Sequence, residues 1–385
     1  MPYEVNELLK TAASKGASDL HLKVGSPPIF RIHGKLVPQG SEKIMPEEAV
    51  RLAFSVMTPS QKENFKKKND MDFAYSVPGL GRFRCNAFVQ RGAIGIVFRV
   101  IPIKIPTIEE LTLPPVLKKL AEEERGLILV TGTTGSGKST TLASMIDLIN
   151  ESKTVNIVTI EDPVEYLHRD KKGLVNQREV GADTESFARA LRAALRQDPD
   201  VILVGEMRDF ETIQTTLTAA ETGHLVFSTL HTTDAAETVN RIISVFPPFQ
   251  HKQVRMQLSA ILKGIISLRL VPRADGQGRV PAVEILLATA TIRECVNDPD
   301  KTKLIPDAIA QGKVHYGMQT FDQSLLDLYN SGLVAYEEAL RWATNPDDFK
   351  LKVKGIHSTA DTMGGPEKGK DAGIKPGIKI ERFSR

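Results

Sequence analysis

Gly132-Thr133-Thr134-Gly135-Ser136-Gly137-Lys138-Ser139 fits the pattern G-x-x-x-x-G-K-[ST], a loop that grips nucleotide phosphates. Each residue type has a physical job. Gly132, Gly135 and Gly137 let the backbone fold back so that successive N–H groups converge on one anion. Lys138 supplies a point charge for the β- and γ-phosphate oxygens. The Ser139 hydroxyl is expected to hold Mg²⁺, and Thr140 to give phosphate one more hydrogen bond. Such a site hydrolyses ATP by positioning and charge stabilisation, with no covalent intermediate.

Two carboxylate clusters accompany the loop. Thr159-Ile-Glu-Asp-Pro-Val-Glu places Glu161, Asp162 and Glu165 at the end of a β-branched strand, the edge where open α/β sheets bind ligands. An acidic cluster before a helix can equally complement the helix dipole. Asp200-Val-Ile-Leu-Val-Gly-Glu-Met-Arg-Asp is an apolar strand ending in an acid, the layout of a Walker B segment. Where many phosphate-loop enzymes have Asp then Glu, this chain has Gly205 then Glu206. One carboxylate cannot easily be both Mg²⁺ partner and the base that orients attacking water. Glu206 is therefore expected on the metal with Ser139. Glu165 is the first choice for the base and Glu161 the reserve, and Asp162 is expected at the nucleotide.

Thr222-Gly-His-Leu-Val-Phe-Ser-Thr-Leu-His brackets another apolar strand with His224 and His231. A neutral imidazole bonded to γ-phosphate or to the base would report nucleotide state. A metal centre would need further ligands at suitable spacing, and these are missing. Arg82 and Arg84 flank Phe83 and so share one strand face, with Arg99 on the next strand. They are either a solvent-facing basic row or arginine fingers for a transferring phosphoryl group.

The elements that must position these groups follow from periodicity. Residues 127–130 form a continuous apolar run, as a buried parallel strand requires, and Leu142, Met145, Ile146 and Ile149 recur at helical spacing. Strand, glycine turn and helix thus aim a helix N-terminus at the phosphates. Further strands are expected at 156–160, 201–204 and 225–229, alternating with helices in a mostly parallel α/β sheet. Before them, residues 1–105 read as a separate α/β module. It has an amphipathic helix at 5–13, a strand at 18–24, a strand–turn–strand around Gly34 and a capping box at Thr58-Pro-Ser-Gln. Strands at 73–77, 81–90 and 94–100 complete its sheet. Lys66-Lys67-Lys68 reads as a solvated helix end. A prolyl stretch sets a linker at 106–115, an ATPase domain at 116–350 and a Gly/Lys/Pro-rich flexible tail at 351–385.

Composition narrows the classes. With 385 residues two domains are expected, and a net charge of +3 gives no electrostatic case for nucleic acid. Cys85 and Cys295 form no C-x-x-C pair, which argues for a reducing cytosolic compartment and against a zinc module. No signal-peptide core opens the chain. The greasiest run, 258–271, is interrupted by Lys263 and Arg269, so no transmembrane segment is expected.

Taken together and in order, the Walker A box (132–139), Asp box (159–165), Walker B box (203–209) and His box (222–231) resemble the secretion ATPases that power type IV pili and type II secretion, and within them the pilus-retraction branch. The resemblance runs from Ala17-Ser-Asp-Leu-His through Val314-His-Tyr-Gly-Met-Gln-Thr-Phe-Asp. It implies a hexameric ring of PAS-like N-terminal and RecA-like C-terminal domains, using ATP and Mg²⁺. Arg84 and Arg99, and with them Arg82, would reach ATP held by Lys138 of the neighbouring subunit. The ring would sit at the cytoplasmic face of the inner membrane on a polytopic platform protein, beside other retraction or assembly ATPases, and return pilin to the membrane. Assembly relatives carry a long N-terminal extension and a tetracysteine zinc motif, unlike this chain with its two cysteines. Retraction relatives usually show Ala-Ile-Arg-Asn-Leu-Ile-Arg. Here Ala290-Thr-Ile-Arg-Glu-Cys-Val-Asn keeps only Ile292 and Arg293 of its core, so an accessory paralogue stays in play. Two rivals are a RecA-like nucleic-acid translocase, which would want a basic-aromatic groove, and a regulatory subunit with little turnover of its own.

Overall fold

The structure is a computed structural model that describes residues 3–32, 34–102 and 104–355. The tail expected beyond residue 350 lies, past Gly355, outside the described residues; the last helix runs to Val353. Two sheets organise the chain, with residues 101–115 passing between them.

The first sheet is six-stranded and antiparallel, in the order β3-β2-β1-β6-β5-β4. Its strands are β1 (Ala17–Lys23), β2 (Ile29–Ile32), β3 (Lys35–Pro38), β4 (Asp70–Val77), β5 (Gly81–Gln90) and β6 (Ala93–Val100). Alternation decides its faces. Leu20, Leu22, Phe30, Phe83, Cys85, Ala87, Ile96 and Phe98 are buried in one core with helices α1 (Val5–Ser14), α2 (Pro46–Ser55) and α3 (Pro59–Lys68). Helix α1 buries Val5, Leu9 and Ala12, one stripe of a helical wheel. Helix α3 starts with the expected capping box: Gln61 N–H donates to Thr58 Oγ1 and Thr58 N–H to Gln61 Oε1. The opposite face carries a cross-strand row of Arg31, Asp19, Arg99 and Arg84, each paired with the next.

The second sheet has seven strands in the order β13-β12-β7-β11-β10-β8-β9. They are β7 (Gly126–Thr131), β8 (Asn156–Glu161), β9 (Leu174–Glu179), β10 (Val201–Val204), β11 (Leu225–Leu230), β12 (Leu262–Pro272) and β13 (Arg279–Leu287). All neighbours run parallel except the β12–β13 pair. Strands β7, β10 and β11 are buried at every residue, as strands covered on both faces must be. The covering helices are α4 (Val116–Ala121), α5 (Lys138–Ser152), α6 (Phe187–Ala194), α7 (Phe210–Glu221), α8 (Ala235–Ser244) and α9 (His251–Ile261). They divide between two apolar clusters. One holds α6 to α9 residues, such as Leu191, Leu217, Val239 and Leu258. The other holds Leu117 of α4 and Met145 and Ile149 of α5. Helices α10 (Ala290–Asn297), α11 (Ile305–Gln311), α12 (Lys313–Tyr316), α13 (Phe321–Asn330), α14 (Tyr336–Trp342) and α15 (Pro346–Val353) finish the described chain.

The four expected central strands are present and pair in parallel. Edge strand β9 and the β12–β13 hairpin were not expected. The first has the polar sequence Leu-Val-Asn-Gln-Arg-Glu, and the apolar run at 258–271 divides between the end of α9 and β12. Among the described residues no helix is long and apolar enough to cross a membrane.

Candidate active site

Strand β7 delivers Gly132 at the carboxyl edge of the sheet. Here φ is +136°, and an added Cβ would lie 2.5 Å from Ser136 Oγ and 2.6 Å from the Leu268 carbonyl oxygen, so only glycine fits. Gly135 and Gly137 also have positive φ, but open space lies beside them. Gly137 caps the N-terminus of α5, whose first-turn N–H groups and dipole favour an anion. Lys138 is buried, and its ammonium donates to the carbonyls of Gly132 (2.8 Å) and Thr133 (3.0 Å). Burial lowers its pKa, while the negative charges of Glu165 and Glu206 oppose that shift. Ser136 Oγ is buried without a partner. A turn with open glycines, an unpaired hydroxyl, a desolvated ammonium and a helix N-terminus fits a polyphosphate. Gly132→Ala is expected to lower stability by about 1–3 kcal/mol through steric and backbone strain, read from the urea midpoint, and to weaken ATP binding.

The carboxylates come from neighbouring strands. Glu161 ends β8, and Glu206 follows β10 by way of Gly205. A Cβ at Gly205 would lie 3.1 Å from the Ile160 carbonyl oxygen and 3.3 Å from Glu161 Cα, so a larger residue there would need its neighbours to give by a few tenths of an ångström. Glu161 Oε1 accepts from Thr159 Oγ1 (2.7 Å) and Gln177 Nε2 (3.0 Å), and the Glu165 N–H also donates to this carboxylate. Burial nevertheless pushes its pKa up. Asp162 and Glu165 are exposed and line the same cleft as Lys138, Ser139, Glu206 and His231. Thr140 Oγ1 and the Tyr166 hydroxyl are 2.9 Å apart, tying α5 to the acidic loop. Glu206 is paired with Arg208 Nε (2.7 Å) and lies 3.5 Å from His231 Nε2. Carboxylate Glu206 and hydroxyl Ser139 are a hard oxygen donor set of the kind Mg²⁺ takes.

The two histidines part company. His231 follows β11 at the carboxyl edge, whereas His224 precedes it, its carbonyl accepting from Gly126 N–H at the start of β7. A six-residue strand spans roughly 20 Å, so His224 does not reach the nucleotide cleft of its own chain, which corrects that expectation. Its Nδ1 instead lies 2.9 Å from the Ala219 carbonyl oxygen at the end of α7.

The arginines also divide. Arg84 and Arg99 face each other on β5 and β6, both exposed, and neither lines the cleft of its own chain. Asp19, 5% exposed, fixes Arg99 through a 3.0 Å bond from Nε and lies 3.7 Å from Arg31 Nε. Arg82 is held by Glu179 at 3.0 Å. Sequence reasoning missed Asp19, Arg31, Gln177, Tyr166 and Arg208. Asp19 carried a faint signal as a carboxylate in an alternating strand, and Gln177 carried none because its strand was unseen.

His168 also lines the cleft wall. Its ring is buried, Nδ1 lacks a hydrogen-bond partner, and Asp147 Oδ1 is 4.0 Å away. Burial lowers its pKa from 6.5 to about 4, with the nearby Asp147 opposing and Lys171 adding to the shift. Below pH 6.5 the unfolded chain takes up a proton that the folded chain refuses. Stability is therefore lost as pH falls from 6.5 to about 4, by up to roughly 3 kcal/mol. Glu284, buried and raised to about 7, acts in the opposite sense, costing stability as pH rises from 4.5 to about 7. His168→Phe should flatten the acid-side loss alone, as urea titrations at several pH values would show.

Residues 2–317 match the family model described as Type II/IV secretion system protein. The chain is 48% identical over 346 residues to the "Type IV pilus retractation ATPase PilT" of Pseudomonas aeruginosa, covering 90% of this chain and 100% of that protein. It is 43% identical over 361 residues to the "Type IV pilus ATPase PilU" of the same organism, covering 94% of each. Among solved structures, the pilus retraction motor PilT with bound ADP superposes with a TM-score of 0.83 at 47% identity, covering 90% of this chain and 98% of that one.

Proposed function

Because the chain belongs to the family of type II/IV secretion system proteins, we propose that it is an ATP-hydrolysing ring motor that powers type IV pilus retraction. The observation that carries this reading is one cleft at the carboxyl edge of a parallel sheet, where Lys138, Ser139, Glu165, Glu206 and His231 converge from separate strands and turns.

In this reading the glycine turn and Lys138 grip the β- and γ-phosphates. The Ser139 hydroxyl and Glu206 would hold Mg²⁺, which would supply charge neutralisation for the transferring phosphoryl group. Glu165 orients a water and takes its proton as the water oxygen attacks the γ-phosphorus. The bond to the bridging oxygen breaks and ADP departs. His231 touches this centre through Glu206, so it senses the nucleotide state without joining the chemistry. Arg84 and Arg99 belong to the neighbour's ATP, since they stand exposed on a sheet face away from their own cleft. A hexamer at the cytoplasmic face of the inner membrane, docked on a platform protein, would then convert hydrolysis into domain rotation.

A second reading is an accessory motor acting beside a principal one. It is favoured by the alignment to PilU across 94% of both chains and by the departure at Ala290-Thr-Ile-Arg-Glu-Cys-Val-Asn. Deletion in the source organism decides between them. Hyperpiliated cells that cannot twitch indicate the principal retraction motor, and retraction weakened only under load indicates the accessory one. Bald cells would contradict both.

A further inference from the structure

Arg82 shares a sheet face with Arg84 and Arg99, but its guanidinium is engaged within its own chain. Nη2 donates across 3.0 Å to Oε2 of Glu179, which ends β9 in the other sheet and is 7% exposed. The same Oε2 accepts from the backbone N–H of Val164 at 3.2 Å, and Val164 immediately precedes Glu165. Glu179 is itself steadied, its N–H donating to Asp183 Oδ2 at 2.9 Å. One buried oxygen therefore joins the first sheet, the second sheet and the acidic loop.

The attachment is by one arm. Arg82 Nε is buried and without a partner, so the pair lacks the two parallel bonds of a fork-on-carboxylate contact. A single charge-assisted bond across two separately built sheets is strong while made and is lost whole when the sheets shift. Breaking it leaves a buried carboxylate without its counter-charge, a state costly enough that the side chain moves out toward water and gives up its bond to the Val164 N–H.

We propose that the Arg82–Glu179 pair is a latch: the placement of the first sheet sets the acidic loop, and through it Glu165, so that Arg82 is a positioning residue and not a nucleotide ligand. With the latch closed, Glu179 holds Val164 N–H and Glu165 is fixed at the cleft. With it open, the loop loosens and hydrolysis stalls. Movement of one sheet relative to the other thereby gates the base. This inference rests on the ATPase reading of the cleft.

The test uses the full chain and Arg82→Gln, Glu179→Gln, their double variant and Arg82→Lys. Each Gln variant should lower kcat roughly 10-fold, a misplacement effect, with KM for ATP little changed. The double variant should fall no further than either single one, and Arg82→Lys should recover most of the loss. Hydrogen exchange at the amides of residues 162 and 164–166, measured without nucleotide, should quicken in Arg82→Gln while residues 132–139 keep their protection. Unchanged exchange at 162–166 together with a raised KM for ATP in Arg82→Gln would overturn the latch and make Arg82 a nucleotide ligand. Losses that multiply in the double variant would also overturn it. If the parent chain hydrolyses no ATP, the ATPase reading fails, and the exchange measurement still decides the latch.

Discussion

Lys138→Ala is expected to reduce ATP turnover to background while leaving a folded chain. The ammonium is the cation at the glycine turn, desolvated and tethered to the Gly132 and Thr133 carbonyls. In that low-dielectric setting a preorganised charge on transferring phosphoryl oxygens is worth a factor of about 10²–10³ or more in rate. Structurally the change is mild. Two carbonyls lose a donor, a cost of about 1–2 kcal/mol, against a stability of about 5–15 kcal/mol for an ordinary domain. Phosphate release assays paired with far-UV circular dichroism check both halves. Undiminished turnover in a folded variant would remove the loop from the mechanism.

Glu165→Gln should separate binding from chemistry. Glu165 lines the cleft and is exposed, and its charge is felt by Lys138. Replacing it removes a proton acceptor, which costs about 10²–10⁴ in kcat. It also removes a negative charge that repels γ-phosphate, so ATP should bind at least as tightly. Glu161→Gln is the informative partner. Glu161 already spends Oε1 on Thr159 and Gln177, so an amide there keeps much of the local bonding and should cost less. Fluorescent-nucleotide titration and single-turnover hydrolysis distinguish the two. Should Glu161→Gln abolish hydrolysis and Glu165→Gln spare it, the roles are exchanged.

What was legible in the sequence was what is local. The glycine turn between an apolar strand and an apolar-striped helix lies within one continuous stretch of chain, and the four central strands announce themselves by short, mostly apolar runs. The Gly205–Glu206 step was legible as a departure, but the close approach of Gly205 to Ile160 and Glu161 needed the packed sheet. Edge strand β9 escaped because one exposed side and polar residues blur its pattern, and Gln177 and Glu179 escaped with it. The Arg82–Glu179 contact joins residues 97 apart, beyond the reach of any periodicity. His224 is a different case: a parallel strand has only one carboxyl end, so strand direction alone places it far from His231.

In the proposed ring two protomers share each ATP, one giving the lysine and the carboxylates and its neighbour giving Arg84 and Arg99. Co-expression of Lys138→Ala with the Arg84→Ala, Arg99→Ala double variant tests it directly, since each is expected to be inactive alone. Mixed rings should regain hydrolysis, because some sites combine an intact glycine turn from one chain with intact arginines from the next. Purified mixed rings that stay as inactive as the separate variants would contradict the shared site.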